Sequence, residues 1–274
     1  MILEKKEWID NKYQVVDFLS EGGTSFVYEI KTSSERRAVL KVVKQPTTLF
    51  NEQIDNEAKI LAAVHHENVP ELYDKVTIAK YHHGIIMKKM PGKSLSEIIE
   101  EDGRRFIWRE VLEIAIQLAN IIHAFHHHSS PIVIRDIKPS NILLCEENRV
   151  HLIDFGASVP VQAAGQHKAI GTIGYAAPEQ FEHGVADLRS DLFSLGAVLF
   201  YIVSVGENIY TSDVEKIVAS KLPKAFAKLI IKLTETNLDE RYHSIDQVLS
   251  SLIKVRPTFM EYIFRPEIEM AERT

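Results

Sequence analysis

Ile134-Arg135-Asp136-Ile137-Lys138-Pro139-Ser140-Asn141 sets an aspartate, a lysine and an asparagine within six positions, directly ahead of the apolar stretch 142–144. Thirteen residues past Asn141, Asp154-Phe155-Gly156 closes another short extended segment. Gly171-Thr172 and Ala177-Pro178-Glu179 follow. Any one of these groups is at the level of chance. All of them, in this order and at these spacings, are not.

Upstream of that stretch the patterning is extended. Residues 13–20 (YQVVDFLS), 26–30 (FVYEI) and 38–44 (AVLKVVK) are parted by Gly22-Gly23 and by a polar turn over 31–37. Two successive hairpins make a small antiparallel sheet. Leu19-Ser20-Glu21-Gly22-Gly23-Thr24-Ser25-Phe26-Val27 is a candidate phosphate loop, because glycines let backbone N–H groups approach an anion. A plain hairpin turn explains it at least as well. Lys41 lies inside an apolar strand, where alternation puts it on the face of Val39. A strand-edge lysine with its head in solvent is the ordinary alternative. Glu57 is its candidate partner, on a helix over 52–64 whose apolar face is Ile54, Ala58, Leu61 and Ala62. A solvated surface glutamate is the bland reading there.

Short strands are expected over 71–78 and 85–88, and the character changes after Pro91-Gly92. Helices are expected over 94–101, 108–128, 187–205, 224–234 and 244–254, with short β segments between Val133 and Ile153. A β-rich front followed by a helix-rich back gives the α+β class, with two lobes and a cleft between them. The smaller, β-rich lobe spans 1–88, the larger helical lobe 89–255, and 256–274 is a C-terminal extension.

Composition bounds the function. The 274 residues are 45% hydrophobic and 26% charged, the balance of a globular chain. With 32 basic and 38 acidic side chains the formal charge is −6, which argues against a broad electrostatic grip on nucleic acid. Cys145 is the single cysteine, so no internal disulfide forms, and the expected compartment is the reducing cytoplasm. The N-terminal MILEKKEWIDNKYQ has no uninterrupted apolar region and reads as no secretory signal. The longest apolar run, 192–206, falls short of the ~20 residues needed to span a bilayer and reads as a core helix.

Taken together, the Gly-rich turn, Lys41, Glu57, the Asp136–Lys138–Asn141 group, Asp154-Phe155-Gly156 and Ala177-Pro178-Glu179 resemble the protein kinase family, as far as Arg241. The Pro-Ser-Asn context, Gly-Tyr-Ala-Ala-Pro-Glu-Gln and Asp239-Glu240-Arg241-Tyr242 look most like bacterial Ser/Thr kinases of eukaryotic type. The resemblance implies transfer of the γ-phosphoryl of ATP, with Mg²⁺, to protein hydroxyls, autophosphorylation included. It implies that Gly22, Gly23 and the neighbouring backbone cover the phosphates. Lys41, held by Glu57, would bind the α- and β-phosphates. Asn141 and Asp154 would be the Mg²⁺ ligands, Asp136 would accept the substrate hydroxyl proton, and Lys138 would stabilise the transferring group. Leu19, Val27, Val39 and Leu143 would sandwich the adenine, with Met87 as gatekeeper and a hinge from Lys88 to Met90. Asp191 would anchor the catalytic loop, and Glu179 would pair with Arg241. Expected partners are protein substrates and a second copy of the chain in a homodimer, not nucleic acid.

The chain departs from the family pattern in places. Ser20 and Ser25 stand where the first and third loop glycines are usual, and Ile134 replaces a histidine, losing that imidazole's hydrogen bond to the Asp-Phe-Gly backbone. From 157 to 170 the only hydroxyl is Ser158, so switching by phosphorylation in mid-loop is not expected. The stretch 206–222 is short, and a helix that docks substrates is expected to be trimmed there. A scaffold without activity and a small-molecule phosphotransferase are the rival readings. A P-loop around Gly92-Lys93-Ser94 fails because Met87 stands where its first glycine belongs. His123 and His126, three apart on a helix, are compatible with a shared metal ligand, although structural roles are preferred for His126 and for His66, which precedes Asn68 in a His-x-Asn turn.

Overall fold

The computed structural model describes residues 3–161, 171–182 and 186–255. The extension expected over 256–274 lies outside the described residues. The chain packs as two compact units. One runs up to Met90 and includes Asp154–Gly156; the other holds Pro91–Ile153 and the chain from Ala157. The boundary expected at residue 88 places 154–156 with the helical part, whereas their packing places them with the sheet.

The first unit is a six-stranded antiparallel sheet in the order β1-β2-β3-β4-β6-β5, with one helix, α1. Its strands are β1 (Trp8–Ile9), β2 (Tyr13–Glu21), β3 (Ser25–Thr32), β4 (Arg37–Val43), β5 (Leu72–Ile78) and β6 (His82–Lys88). One face of the sheet packs Ile9, Val15, Tyr28, Ile30, Leu40, Val42 and Ile86 into a core. Strand β1, absent from the expected set, is only two residues long and carries no alternation to read.

Helix α1 spans Thr48–Ala63, beginning four residues before the expected start. Thr47 explains this: its side-chain oxygen accepts from the backbone N–H of Phe50 at 3.2 Å, capping the first turn. The buried face is Ile54, Glu57, Ala58 and Leu61, while Ala62 is exposed. A glutamate therefore holds a core position on a helix whose pattern marks only apolar residues as buried.

The second unit contains β7 (Lys93–Ser94), α2 (Trp108–His126), β8 (Ile132–Val133), β9 (Ile142–Leu144), β10 (Val150–Leu152) and β11 (Val159–Pro160). Helices α3 (Pro178–Glu182), α4 (Leu188–Ser204), α5 (Val214–Lys221), α6 (Lys224–Leu233) and α7 (Ile245–Ile253) follow. Strands β10, β9 and β7 form one small antiparallel sheet, and β11 pairs with β8. The Gly92-Lys93-Ser94 stretch is thus a strand paired to Leu143 and Leu144 and opens no phosphate loop. Gly92 has φ +111° and a Cβ there would meet the Leu144 carbonyl oxygen at 2.6 Å, so the close strand approach requires glycine. The helix expected over 94–101 runs over 95–101, and its end is the π-helical turn Glu97–Glu101. Helix α5 occupies part of the stretch expected to be trimmed, as an eight-residue remnant capped by Asp213.

Helix α4 is buried from Ser190 through Ser204, which makes the long apolar run a core helix. Among the described residues no helix is long and apolar enough to cross a membrane. Gly196 lets α4 approach α6: a Cβ there would meet Leu233 Cβ and Thr234 Cγ2 at 2.7 Å. Asp187 caps α4 by accepting from the Arg189 backbone N–H at 2.8 Å. Burial pushes its carboxyl up, but the Arg189 guanidinium and N–H outweigh that and hold it below the usual range. Asp187→Ala is expected to cost about 1 kcal/mol. A lowered folded pKa stabilises above the unfolded value of about 3.9, and this is lost as the pH falls through the folded one. Denaturant unfolding against pH should therefore show the wild-type advantage over Asp187→Ala shrinking below about pH 4.

Candidate active site

In the first unit, Lys41 and Glu57 are both buried, at 8% and 1% exposure. The Lys41 ammonium donates to Glu57 Oε2 and to Asp154 Oδ1, each at 2.7 Å. Lys41 is thus no strand-edge lysine and Glu57 no surface glutamate; the alternation that puts Lys41 opposite the Leu40–Val42 face aims it at α1. Burial pulls the Lys41 pKa down, yet the carboxylates of Glu57 and Asp154 more than reverse this and raise it, so it is a permanent cation. Burial raises the Glu57 carboxyl against the pull of Lys41. Glu57 Oε1 also accepts from the Phe155 backbone N–H at 3.2 Å, which ties the Asp-Phe-Gly segment to α1. Asp154 has φ +70°, a left-handed backbone that costs a non-glycine residue about 1 kcal/mol or more.

The Gly22-Gly23 turn joins β2 to β3, with the Gly22 N–H bonded to the Ser25 carbonyl at 2.9 Å. Neither glycine is required by packing. A Cβ on Gly23 would meet nothing within 4 Å, and one on Gly22 makes only ordinary contacts. What these glycines leave open is the space over the loop. Leu19 is exposed, Val27 and Val39 are half-buried and Met87 is buried, with Met87 paired to Val39 across β4 and β6. Lys88 is exposed and Met90 buried.

In the second unit, Asp136, Lys138, Asn141 and Thr172 form a closed polar group. Lys138 Nζ lies 2.8 Å from Asp136 Oδ2 and donates to Thr172 Oγ1 at 3.0 Å. Thr172 Oγ1 donates to Asp136 Oδ1 at 2.9 Å. Asn141 Nδ2 donates to the Asp136 carbonyl at 3.0 Å and to Oδ2 at 3.1 Å, which leaves its amide oxygen turned from both. Leu143, half-buried, follows on β9.

The loop bearing Asp136 hangs from α4. Asp191, fully buried, accepts from the backbone N–H groups of Ile134 and Arg135 at 2.8 and 2.9 Å. His126 Nε2 sits 2.9 Å from the same carboxylate, so His126 is structural and is not paired with His123. His66 likewise accepts from the Asn68 N–H through Nδ1. Arg135 has φ +71°, held by Asp191 on its N–H and by the Gln180 amide on its carbonyl, at 3.2 Å. Gln180 closes the Gly-Tyr-Ala-Ala-Pro-Glu-Gln motif, but the motif alone assigned it no role. The Glu179–Arg241 pair is bidentate, at 2.8 and 3.2 Å, with Ser190 donating to Glu179 at 2.7 Å.

Where Ile134 replaces a histidine, the loop gains a different link. Ser158 Oγ, fully buried, donates to the Ile134 carbonyl at 3.1 Å. Ser158→Ala is expected to lower stability by about 1 kcal/mol. Phosphopeptide mapping should find Ser158 unmodified in the folded protein; stoichiometric phosphate there would contradict this placement. Residues 162–170 of the same segment lie outside the described residues.

A sheet with a buried lysine–glutamate pair, followed by a helical unit bearing an Asp–Lys–Asn loop, defines the protein kinase fold. A family model described as protein kinase domain matches residues 13–263, and the chain belongs to that family. It is 27% identical to a probable serine/threonine-protein kinase of Clostridium acetobutylicum, over 92% of this chain and 41% of the relative. A probable serine/threonine-protein kinase of Clostridium perfringens is 29% identical over 90% of this chain and 39% of its own length. The serine/threonine-protein kinase PrkC of Bacillus subtilis is 26% identical over 90% and 41%. The chain thus spans about two-fifths of the length of these relatives.

Proposed function

We propose that this protein transfers the γ-phosphoryl group of ATP to serine and threonine hydroxyls of proteins, itself among them. The observation that carries the reading is the Asp136 carboxylate. One of its oxygens accepts a hydroxyl hydrogen bond from Thr172, and the other is fixed by Asn141 and Lys138. A carboxylate so held is oriented to accept a hydroxyl proton as the oxygen attacks phosphorus. Lys138 supplies positive charge for the phosphoryl oxygens as the bond to ADP breaks. Lys41, fixed by Glu57, binds the α- and β-phosphates, and the open Gly22-Gly23 loop admits them. Leu19, Val27, Val39 and Leu143 take the adenine, with Met87, Lys88 and Met90 at its edge.

The two residues assigned to magnesium fit it: the Asn141 amide oxygen and the Asp154 carboxylate are both hard oxygen ligands. When bound, the ion neutralises phosphate charge and so eases phosphoryl transfer. We assign protein substrates and a cytoplasmic setting to the chain on the same reading.

Incubation with γ-labelled ATP, Mg²⁺ and a general acceptor protein tests the function. Acid-stable label on phosphoserine and phosphothreonine, abolished by EDTA, is the expected result. A folded protein that labels nothing would establish a scaffold, and label on small molecules alone a different phosphotransferase.

A further inference from the structure

His123 and His127 lie one turn apart at the C-terminal end of α2, with their imidazole rings stacked, centroids 3.9 Å apart and planes 17° apart. Both Nε2 atoms face one carboxylate. Asp246, in the first turn of α7, has Oδ1 3.4 Å from His123 Nε2 and Oδ2 3.3 Å from His127 Nε2. One ligand atom from each of the three residues lies within 4.8 Å of the others. The side chains are 41%, 49% and 55% exposed, open to ions from solution.

The ligand chemistry suits a cation here. His127 Nδ1 is 3.3 Å from the His123 carbonyl oxygen, which can only accept, so the ring hydrogen resides on Nδ1. That leaves Nε2, the atom facing the carboxylate, as the nitrogen able to ligate. A single divalent ion takes both imidazoles and the carboxylate together once these exposed rings turn out of their parallel stack, because each Nε2 lone pair lies in its own ring plane. The backbone carbonyl on the far ring nitrogen is the outer contact that usually orients a ligating histidine. The C-terminal end of a helix also favours positive charge.

We propose that His123, His127 and Asp246 form a binding site for a divalent transition-metal ion of the zinc class, separate from the oxygen ligands assigned to magnesium. Zinc takes two imidazoles, a carboxylate and a water tetrahedrally, and bonds of about 2.0–2.1 Å set its donors about 3.4 Å apart. The histidine–aspartate separations, 3.4 Å to Oδ1 and 3.3 Å to Oδ2, lie at that spacing from one or the other carboxylate oxygen. Magnesium, which prefers oxygen and keeps its water, does not compete for two imidazoles. The ion joins the end of α2 to the start of α7. His126, between the two histidine ligands in sequence, is the residue that reaches Asp191, so the clamp closes on the helix end that supports the catalytic loop.

Cobalt(II) titration of the nucleotide-free protein, followed by visible absorption, is the test. One equivalent is expected to give d–d bands that Zn²⁺ abolishes and excess Mg²⁺ leaves unchanged, and Zn²⁺ should raise the thermal unfolding midpoint. Asp246→Asn should weaken binding about tenfold or more, and the double variant His123→Gln/His127→Gln should lose both the bands and the thermal shift. All three positions are on the surface, and unchanged metal-free melting of the variants shows that they fold. Wild-type affinity in the double variant, with other histidines holding the ion, would overturn the proposal. So would the lack of saturable uptake by the wild type below about 1 mM.

Discussion

Arg241→Ala is expected to destabilise the second unit by about 3–5 kcal/mol, the cost of leaving a buried carboxylate without its partner. Glu179 is 7% exposed and Arg241 1% exposed, so water cannot replace the guanidinium. The loss extends beyond the pair. Arg241 also donates to the carbonyls of Glu235 and Arg189, both at 2.9 Å, joining the segment after α6 to the start of α4. Replacing both charges with apolar side chains of similar volume, as in Glu179→Leu with Arg241→Met, should recover a good part of the loss, because the buried charge is then gone. Denaturant unfolding followed by two probes is the appropriate measurement, since a chain of two units need not unfold in one step.

Lys41→Met is expected to lower kcat/KM for ATP-dependent transfer by about 10²–10³-fold, the usual effect of removing one preorganised charge from a transition state. The same change alters stability in a pH-dependent way. Burial already raises the Glu57 pKa, and without Lys41 only the Phe155 N–H opposes that rise. A carboxyl whose folded pKa lies above its unfolded value loses stability as the pH climbs from about 4.3 through the folded value. In the wild type, the raised Lys41 pKa works the other way: its contribution is full below about pH 10.4 and lost only in strong alkali. The variant's stability should thus fall more steeply across the acid-to-neutral range than that of the wild type, where Lys41 opposes the rise. Glu57→Gln, which keeps shape and removes charge, should reduce activity less than Lys41→Met does.

The sequence made legible those features whose signal is local. Strands β2 to β4 follow from β-branched and aromatic runs broken by turn residues, and the core helix α4 from an apolar run too short for a bilayer. Lys41 stood out because a lysine inside such a strand needs a reason. Its burial, however, depends on Glu57, sixteen positions away, and on Asp154, more than a hundred away, and alternation could not choose between pairing and solvent. The same limit explains the histidines. Spacing along α2 offers His123 with either His126 or His127, and only the packing of α7, which brings Asp246 alongside, decides for His127. Helix α5 was obscured because its stretch is short and its only fully buried residue is Val218. The start of α1 was missed because its signal is a capping threonine rather than an apolar face. Gln180 and Ser158 carry no periodic signal at all; their roles exist only once the catalytic loop is folded against them.

Asp136 is the residue on which the functional reading turns, and its replacement by asparagine keeps the size and most of the polar contacts of the site while removing the base. The most direct measurement is the initial rate of label transfer from γ-labelled ATP to a protein acceptor, for the wild type and Asp136→Asn, at equal folded protein. A rate lower by about 10²–10⁴-fold in the variant, with nucleotide affinity retained, is the predicted result. Equal rates for the two proteins would contradict it.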